Sequence, residues 1–113
     1  MGSMKERCGV IIGDSFYEVK NVSDREDEFE MDPQQLYSLL SKGELRAIVH
    51  THSFSCMPSD KDLQGMRAWK VPWIIVSREC VKTFQASDLG VFEVDVNSLL
   101  FKKLHDLAVK LLK

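Results

Sequence analysis

The sequence lacks the features that would place it in a membrane or on a polyanion. No apolar run approaches the roughly 18 residues that a transmembrane helix requires, and the run at 9–12 is too short for a secretory signal. The formal net charge is only −2, which gives no electrostatic reason to expect a nucleic acid or an anionic membrane as partner. We therefore predict that the protein binds neither.

Cysteine is also scarce, with Cys8, Cys56 and Cys80 spread along the chain. Their odd number and wide spacing predict reduced thiols in a cytosol-like compartment, and not a disulfide framework. We accordingly expect a cytoplasmic protein. Cys8 is interpreted as a small buried core residue and Cys56 as an exposed loop thiol. The alternative for Cys56 is a soft fourth ligand of a metal.

No internal repeat, low-complexity tract or interdomain linker interrupts the chain. Its 113 residues, 44% hydrophobic and 28% charged, predict one ordinary globular domain with a single modest core. We assign residues 4–113 to this domain. Met1, Gly2 and Ser3 resemble the remnant of an expression tag.

Short apolar runs and turn signals predict an α/β domain, in which a mixed, curved β-sheet is flanked by helices. Asp32 before Pro33 is typical of a helix start, and Gly43 of its end. Ser59 is expected to cap a second helix that runs to about Trp69. An amphipathic helix at 97–113 is expected to pack on the core. The predicted strands are Cys8–Ile12, 16–22, 45–49 with the residues that follow it, 71–76, 81–85 and 91–94.

The residues with the clearest chemistry follow the strand at 45–49. Since side chains two apart in a strand point to one face, His50 and His52 can approach a single ion from the strand's end. Asp62 follows in the first turn of the predicted helix. Two neutral nitrogens, a carboxylate oxygen and a position open to water form a donor set that suits zinc.

Five stretches, taken together, resemble the JAMM (MPN+) metalloprotease family, most closely its small prokaryotic and phage-tail branch. The resemblance covers residues 5 to about 90. It rests on Glu-Arg-Cys-Gly at 6–9, Phe-Glu-Met-Asp-Pro at 29–33, His-Thr-His at 50–52, Pro-Ser-Asp-Lys-Asp at 58–62 and Pro-Trp-Ile-Ile-Val-Ser at 72–77. It implies the MPN fold, which is related to that of cytidine deaminases.

The resemblance also implies a role for each matching residue. His50, His52 and Asp62 would bind Zn²⁺, with water in the fourth position. Glu6 would be the general base that accepts the proton of this water and passes it to the leaving amine. Ser59 would donate a hydrogen bond to the oxyanion of the tetrahedral intermediate.

The activity implied is hydrolysis of a peptide or isopeptide bond, with a ubiquitin-like protein or a phage tail protein as substrate. The alternative is a catalytically silent MPN-like module that binds partners or scaffolds an assembly. Three departures from the family pattern bear on this alternative. Ser53 stands where the family usually has proline, and six residues separate His52 from Ser59 instead of seven. The family also normally has a helix before the glutamate, whereas Glu6 lies almost at the start of the sequence; this difference and the shortened loop keep the alternative open.

Individually, the same residues have simpler interpretations. His50 and His52 could be ordinary strand-end histidines, and Asp62 a first-turn residue favoured by the helix dipole. Ser59 could be a helix cap alone, although a cap can also act as a donor. Glu6, taken by itself, would be a solvated charge near the start of the sequence. Trp69 and Trp73 are expected in the core or at its rim, and His105 on the surface.

Overall fold

The computed structural model describes residues 6–53, 55–94 and 106–112, which form a small mixed α/β domain. Within these residues, α1 (Pro33–Leu40) and α2 (Asp60–Ala68) are α-helices, and a 3-10 helix spans Val109–Leu112. The strands are β1 (Cys8–Ile12), β2 (Ser15–Val19), β3 (Leu45–Thr51), β4 (Trp73–Val76), β5 (Val81–Ser87) and β6 (Gly90–Val94).

The six strands form one mixed sheet in the order β2-β1-β3-β4-β5-β6. β3 and β4 are parallel, and the other neighbours are antiparallel. α2 lies in the connection between β3 and β4, as expected for a crossover between parallel strands. The ends of β3 and β4 therefore lie at the same edge of the sheet, and the chain segments that follow them are brought side by side.

The strand predictions are confirmed, with shifted ends. β2 ends at Val19 and not at 22, because the Lys20 amide leaves the ladder and donates to Oε1 of Gln35 at 2.8 Å. β4 begins at Trp73, directly after Pro72, which has no amide hydrogen to donate. β5 extends two residues beyond the prediction, to Ser87, and β6 starts one residue earlier, at Gly90.

Both predicted helix starts are confirmed. Asp32 caps α1 by accepting a hydrogen bond from the Gln35 amide, and Pro33 occupies the first turn. α1 ends at Leu40 with Ser41 as its C-cap, before the Gly43 that was expected to end it. Ser59 caps α2, which ends at Ala68. A cap of this kind stabilises a helix by about 1 kcal/mol.

Alternation along the strands produces two separate apolar clusters, one on each face of the sheet. On one face, Ile48 and Trp73 pack with Leu39 of α1 and Met66 of α2. On the opposite face, Val49 and Ile74 belong to a cluster that includes Ala108 and Leu111. The helices and the segment at 106–112 therefore cover different sides of β3 and β4.

The predicted C-terminal helix lies mostly outside the described residues. Of its range, residues 106–108 are α-helical and Val109–Leu112 form the 3-10 helix. Ala108 and Leu111 are fully buried against the sheet, which confirms the expected core packing for this part. Among the described residues, no helix has the length and apolar character needed to cross a membrane.

Gly65 allows α2 to approach the sheet closely. A Cβ atom at this position would lie 2.4 Å from the Trp73 ring, nearer than van der Waals contact permits. Trp73 is buried and donates its indole N–H to the Trp69 carbonyl at 3.0 Å. Trp69 is 40% exposed, so the two tryptophans occupy the core and its rim, as predicted.

The expectation of three reduced cysteines is wrong for two of them. Cys56 is buried and forms a disulfide with Cys80, 24 residues further along, with their Cα atoms 6.1 Å apart. The parallel pairing of β3 and β4 explains this contact, since it places the loop after β3 beside the turn after β4. Cys56 is therefore neither an exposed thiol nor a metal ligand. Cys8 is free and buried, as predicted.

Candidate metal centre

The two histidines project from the end of β3 on the face covered by α2. The Cα of His50 pairs with Cys8 of β1 and with Ile75 of β4. His52 follows β3, and its amide donates to the Val76 carbonyl at 3.0 Å. His50 and His52 lie two and four residues after Ile48. Because every second side chain of a strand points to the same face, their rings lie on the same side of the sheet as Ile48.

Asp62 brings its carboxylate to both rings from the first turn of α2. Its Oδ1 lies 3.1 Å from Nε2 of His50, and its Oδ2 lies 3.0 Å from Nε2 of His52. The two Nε2 atoms are themselves 3.0 Å apart. Ligands of a tetrahedral zinc ion, at ~2.0–2.1 Å from the metal, are about 3.3 Å from one another. The three side chains thus present a triangle of donors of the size that a zinc ion needs.

The hydrogen bonds around His52 fix which of its nitrogens can bind a cation. Nδ1 lies 3.0 Å from the Ser55 carbonyl oxygen, which can only accept, so the proton resides on Nδ1. Nε2, 3.0 Å from Oδ2 of Asp62, donates to the carboxylate when the ring is protonated, and it is the nitrogen whose lone pair becomes available to a cation when the ring is neutral. A ring nitrogen held in this way by a backbone carbonyl is the usual arrangement of a metal-binding histidine.

His50 is fully buried, and its Nδ1 has no hydrogen-bond partner among the described residues. Its ring is held by packing instead: the Phe29 ring stacks on it with the centroids 4.6 Å apart, and Trp73 meets it edge-on at 6.0 Å. Because a polar ring is costly to bury without partners, the contact of Nε2 with Asp62 is the main compensation for burying His50.

The charges of this cluster are shifted by burial and by one another. Burial alone would raise the pKa of Asp62, but hydrogen bonds from His50 and His52 hold it well below its usual value. Burial lowers the pKa of His50. Burial also acts to lower the pKa of His52, but the hydrogen bond and charge of Asp62 raise it above the ordinary value. The cluster is therefore an anionic carboxylate between two imidazoles, which favours a bound cation.

Ser59 and Asp62 form a reciprocal cap at the start of α2. The Ser59 hydroxyl accepts from the Asp62 amide at 3.1 Å, and Oδ2 of Asp62 accepts from the Ser59 amide at 3.0 Å. The Ser59 hydroxyl uses a lone pair in this bond, so its own hydrogen remains free to donate. The interpretations of Ser59 as a cap and as a donor are compatible in this geometry.

Glu6 is not a solvated charge near the start of the sequence. Its side chain is buried, its Oε1 has no hydrogen-bond partner in the described part of the chain, and burial raises its pKa to about 7. A carboxylate oxygen of Glu6 and a ring nitrogen of each histidine lie within 4.8 Å of one another. Asp62 contacts both histidines directly, so it is the better third ligand, and Glu6 lies beside the triangle.

An open cavity of about 500 Å³ gives access to these residues. Glu6, His52 and Ser59 line it, together with Ser53 and Ser55 of the loop after β3, Met57, and Glu26 and Asp27 from the opposite side. His50 lies beneath, fully buried. A molecule in the cavity would therefore meet Glu6, His52 and Ser59 together.

The structure brings together all five residues that the sequence singled out: Glu6, His50, His52, Ser59 and Asp62. His105 lies outside the described residues. Sequence reasoning missed Phe29 as the ring that covers His50, and it missed Asn21, whose side chain binds the backbone of Glu6. An asparagine in a charged loop carries no local signal of such a contact. Its partner becomes visible only when β1 and the loop after β2 are seen side by side.

The chain is similar in sequence to one known protein and in fold to another. The chain is 35% identical over 89 residues to a desampylase of Pyrococcus furiosus, and the match covers 68% of this chain and 63% of the relative. The chain thus spans less than two thirds of that protein's length. No protein-family model matches the chain. The solution structure of a protein from Desulfitobacterium hafniense shares the fold, with a TM-score of 0.68, 20% identity, and coverage of 81% of this chain and 77% of that one.

Proposed function

We propose that the protein is a zinc-dependent isopeptidase of the JAMM (MPN+) family, and that residues 4–113 form a single MPN domain. One observation carries the proposal. The Nε2 atoms of His50 and His52 are 3.0 Å apart, each lies 3.0–3.1 Å from one oxygen of the Asp62 carboxylate, and Glu6 lies beside this donor set in a cavity open to substrate.

The donor set fits zinc better than other common metal ions. Nitrogen from neutral imidazole is a favoured zinc ligand, whereas calcium and magnesium prefer sites made of oxygen. With three protein ligands, a fourth position remains for water or substrate, as in catalytic zinc sites. When bound, zinc supplies Lewis-acid chemistry: it polarises a carbonyl group and makes water acidic enough to react near neutral pH.

Glu6 would move the proton in this reaction. Its carboxylate would take a proton from the attacking water as the C–O bond forms, and deliver it to the amine nitrogen as the C–N bond breaks. A general base works best when its pKa is near the working pH. Burial raises the pKa of Glu6 to about 7, which suits both acceptance and return of a proton.

Ser59 would stabilise the negative charge that develops on the carbonyl oxygen. Its position is fixed by the cap of α2, so the hydroxyl needs no reorganisation during the reaction. The remaining hydrogen of the hydroxyl is available, because the cap uses only a lone pair. Glu6 and Ser59 both line the cavity, so one bound amide could contact the two groups at the same time.

The substrate class that we propose is a ubiquitin-like protein joined through its C-terminus to an amine. The name desampylase denotes removal of a ubiquitin-like modifier, and the similarity to that archaeal protein favours this class over a phage tail protein. Cleavage without nucleic acid or membrane as partner is part of the same proposal. A cytoplasmic location is proposed with it on the substrate class alone, since the Cys56–Cys80 disulfide removes the argument from reduced thiols.

Zinc binding is tested first, on protein that has never been exposed to a chelator. We expect close to one zinc per chain by elemental mass spectrometry, and strong loss of zinc in His52→Ala. The replacement Lys42→Ala, at an exposed position, is the control. A chain that binds no zinc, with the same content in His52→Ala, would contradict the proposed metal centre.

The chemistry is tested with a ubiquitin-like protein linked to a lysine side chain by an isopeptide bond. We expect cleavage by the zinc-loaded chain and a loss of about 10²–10⁴-fold in Glu6→Gln, the range for removal of a general base, while zinc stays bound. Glu44→Gln, at an exposed position, should retain activity. Zinc binding without cleavage of any such substrate would support a silent binding module instead.

A further inference from the structure

The position of Glu6 poses a structural problem for its proposed role. The residue lies two positions before β1, outside the regular ladder of the sheet. Its buried Oε1 accepts no hydrogen bond from the described residues. No hydrogen bond to this oxygen fixes the direction of the carboxylate within the described residues, so its direction depends strongly on how the backbone of residues 6 and 7 is held.

One side of this backbone is fixed by β3. The Arg7 amide donates to the Thr51 hydroxyl at 2.8 Å, and the Thr51 amide donates to the Arg7 carbonyl at 2.9 Å. These bonds continue the pairing of β1 with β3 by one step. They link residue 7 to the residue between the two histidines, but they leave the Glu6 carbonyl to be satisfied from the other side.

Asn21 satisfies that carbonyl. Its Nδ2 donates to the Glu6 carbonyl oxygen at 2.7 Å and also lies 3.4 Å from the Glu28 carbonyl oxygen. Its Oδ1 accepts from the amides of Ser23 at 2.9 Å and Glu30 at 3.0 Å. With carbonyls on one side and amides on the other, only one orientation of the side-chain amide is satisfied.

The same four bonds tie Glu6 to the loop that follows β2. Residue 21 also forms an isolated β-bridge with Met31, so the loop is closed at its base. Asp27 of this loop lines the cavity, and Phe29 stacks on His50. Asn21 thus joins the segment that carries the base to the segment that covers a proposed ligand.

We propose that Asn21 is a positioning residue that sets the Glu6 carboxylate for proton transfer. This inference rests on the proposed function. Asn21 touches no proposed metal ligand, so its loss should reduce turnover without reducing zinc affinity. Displacement of a reacting group by about 1 Å can cost on the order of 10²-fold in rate.

Gln35 provides a matched control. Its side-chain amide also bridges backbone groups, since Nε2 donates to the Glu18 carbonyl at 3.2 Å and Oε1 accepts from the Lys20 amide. It does not bond to Glu6. Asn21→Ala removes four bonds to backbone groups and Gln35→Ala removes two, so the closer comparison is between the two acidic variants. Asn21→Asp and Gln35→Glu keep the acceptor oxygen, replace the donor, and make the same change of charge.

In the zinc-loaded chain, we expect kcat to fall on the order of 10²-fold in both Asn21 variants, with KM and zinc affinity unchanged. The Gln35 variants should keep the wild-type kcat. Asn21→Asp keeps the oxygen that accepts from the Ser23 and Glu30 amides. It can therefore be tested even if Asn21→Ala fails to fold. Wild-type kcat in Asn21→Asp, or an equal loss in the Gln35 variants, would overturn the proposal.

A second measurement is independent of activity. In the metal-free chain, hydrogen exchange at the Arg7 amide should become several-fold faster in Asn21→Asp than in Gln35→Glu, because the segment loses its anchor on one side. Unchanged exchange would exclude Asn21 as the anchor of Glu6. Faster exchange in a chain that cleaves nothing would retain the anchor and reject the proposed reaction.

Discussion

Ser59 and Asp62 hold each other at the start of α2, and one oxygen of Asp62 belongs to the donor triangle as well. Oδ2 accepts from the Ser59 amide at 3.0 Å and lies 3.0 Å from Nε2 of His52. The start of the helix and the proposed metal centre therefore share an atom. Replacements of Ser59 and Asp62 should distinguish their contribution to the stability of the helix from their contribution to zinc binding and catalysis.

Asp62→Asn should weaken the metal centre more than the helix. Asparagine keeps a side-chain oxygen that can accept from the Ser59 amide, as Asp62 does, but its neutral amide is a poor ligand beside two imidazoles. We expect loss of zinc and a smaller loss of stability in the metal-free chain, because the lowered pKa of Asp62 means that its charged form stabilises the fold. Asp62→Ala should lose the zinc and also about 1–3 kcal/mol of stability, since it leaves the buried His50 without its partner. Calorimetric titration with zinc and chemical denaturation measure the two effects, and equal zinc affinity in Asp62→Asn would contradict the ligand assignment.

Replacement of Ser59 should distinguish the cap from the hydrogen-bond donor. Ser59→Gly costs the helix only a few tenths of a kcal/mol, whereas Ser59→Ala costs about 1 kcal/mol. Both remove the hydroxyl, so both should lower kcat by about 10²–10³-fold if Ser59 stabilises an oxyanion. Ser59→Thr retains the hydroxyl and should keep most of the activity. If kcat instead follows the loss of stability, Ser59 is a cap alone.

Reduction of the Cys56–Cys80 disulfide should lower zinc affinity. Ser55, whose carbonyl holds Nδ1 of His52, is adjacent to Cys56, so the disulfide fixes the acceptor that orients this ring. Loss of such an outer partner typically costs 10–100-fold in metal affinity, and we expect about 10-fold. The double replacement of both cysteines by alanine should reproduce the effect and no longer respond to a reductant. Equal affinity in the oxidised and reduced chains would show that the loop holds His52 without the disulfide.

The stability of the metal-free chain should depend on pH through Glu6. Burial raises the pKa of this carboxyl to about 7 from 4.5, so between these values the folded state binds more protons than the unfolded state. The free energy of unfolding therefore falls as pH rises through this window. Glu6→Gln removes the cost of the buried charge. Relative to wild type, it should have little effect near pH 4 and should stabilise by on the order of 1–2 kcal/mol at pH 8, after allowance for screening by water in the cavity.

Denaturation with urea at several pH values measures this difference. Glu44→Gln, at an exposed position, is the control and should show no such trend. A constant difference between wild type and Glu6→Gln across the range would mean that Glu6 titrates as a solvated group. The Glu6 charge also contributes to the raised pKa of His52, so the difference between the two chains includes the accompanying change in the titration of His52.

Local chemistry explains what could be predicted from the sequence. Asp32 and Ser59 were identified as caps because their partners lie three residues away. The shared face of His50 and His52 follows from the two-residue period of a strand. These features require no knowledge of which strands are neighbours, and the structure agrees with each of them.

Features that depend on strand order could not be predicted in the same way. Cys56 meets Cys80 only because β3 and β4 are parallel. Glu6 is buried only because β1 pairs with β3 and the loop after β2 folds over its backbone. Glu6 lies outside the strand ladder, so no alternation of buried and exposed positions predicts its burial. Its charge alone predicted exposure.

Successive side chains of β3 point to opposite faces of the sheet. The positions of the two imidazoles and of the core residues of β3 are therefore set by the same register. One residue inserted before Val49 would turn both rings to the opposite face, where Ala108 and Leu111 pack, and would turn Val49 out of its cluster at the same time. Such a one-residue insertion would therefore displace the site and disrupt the fold together, whereas substitution of a single ligand would remove the site and leave the strand in register.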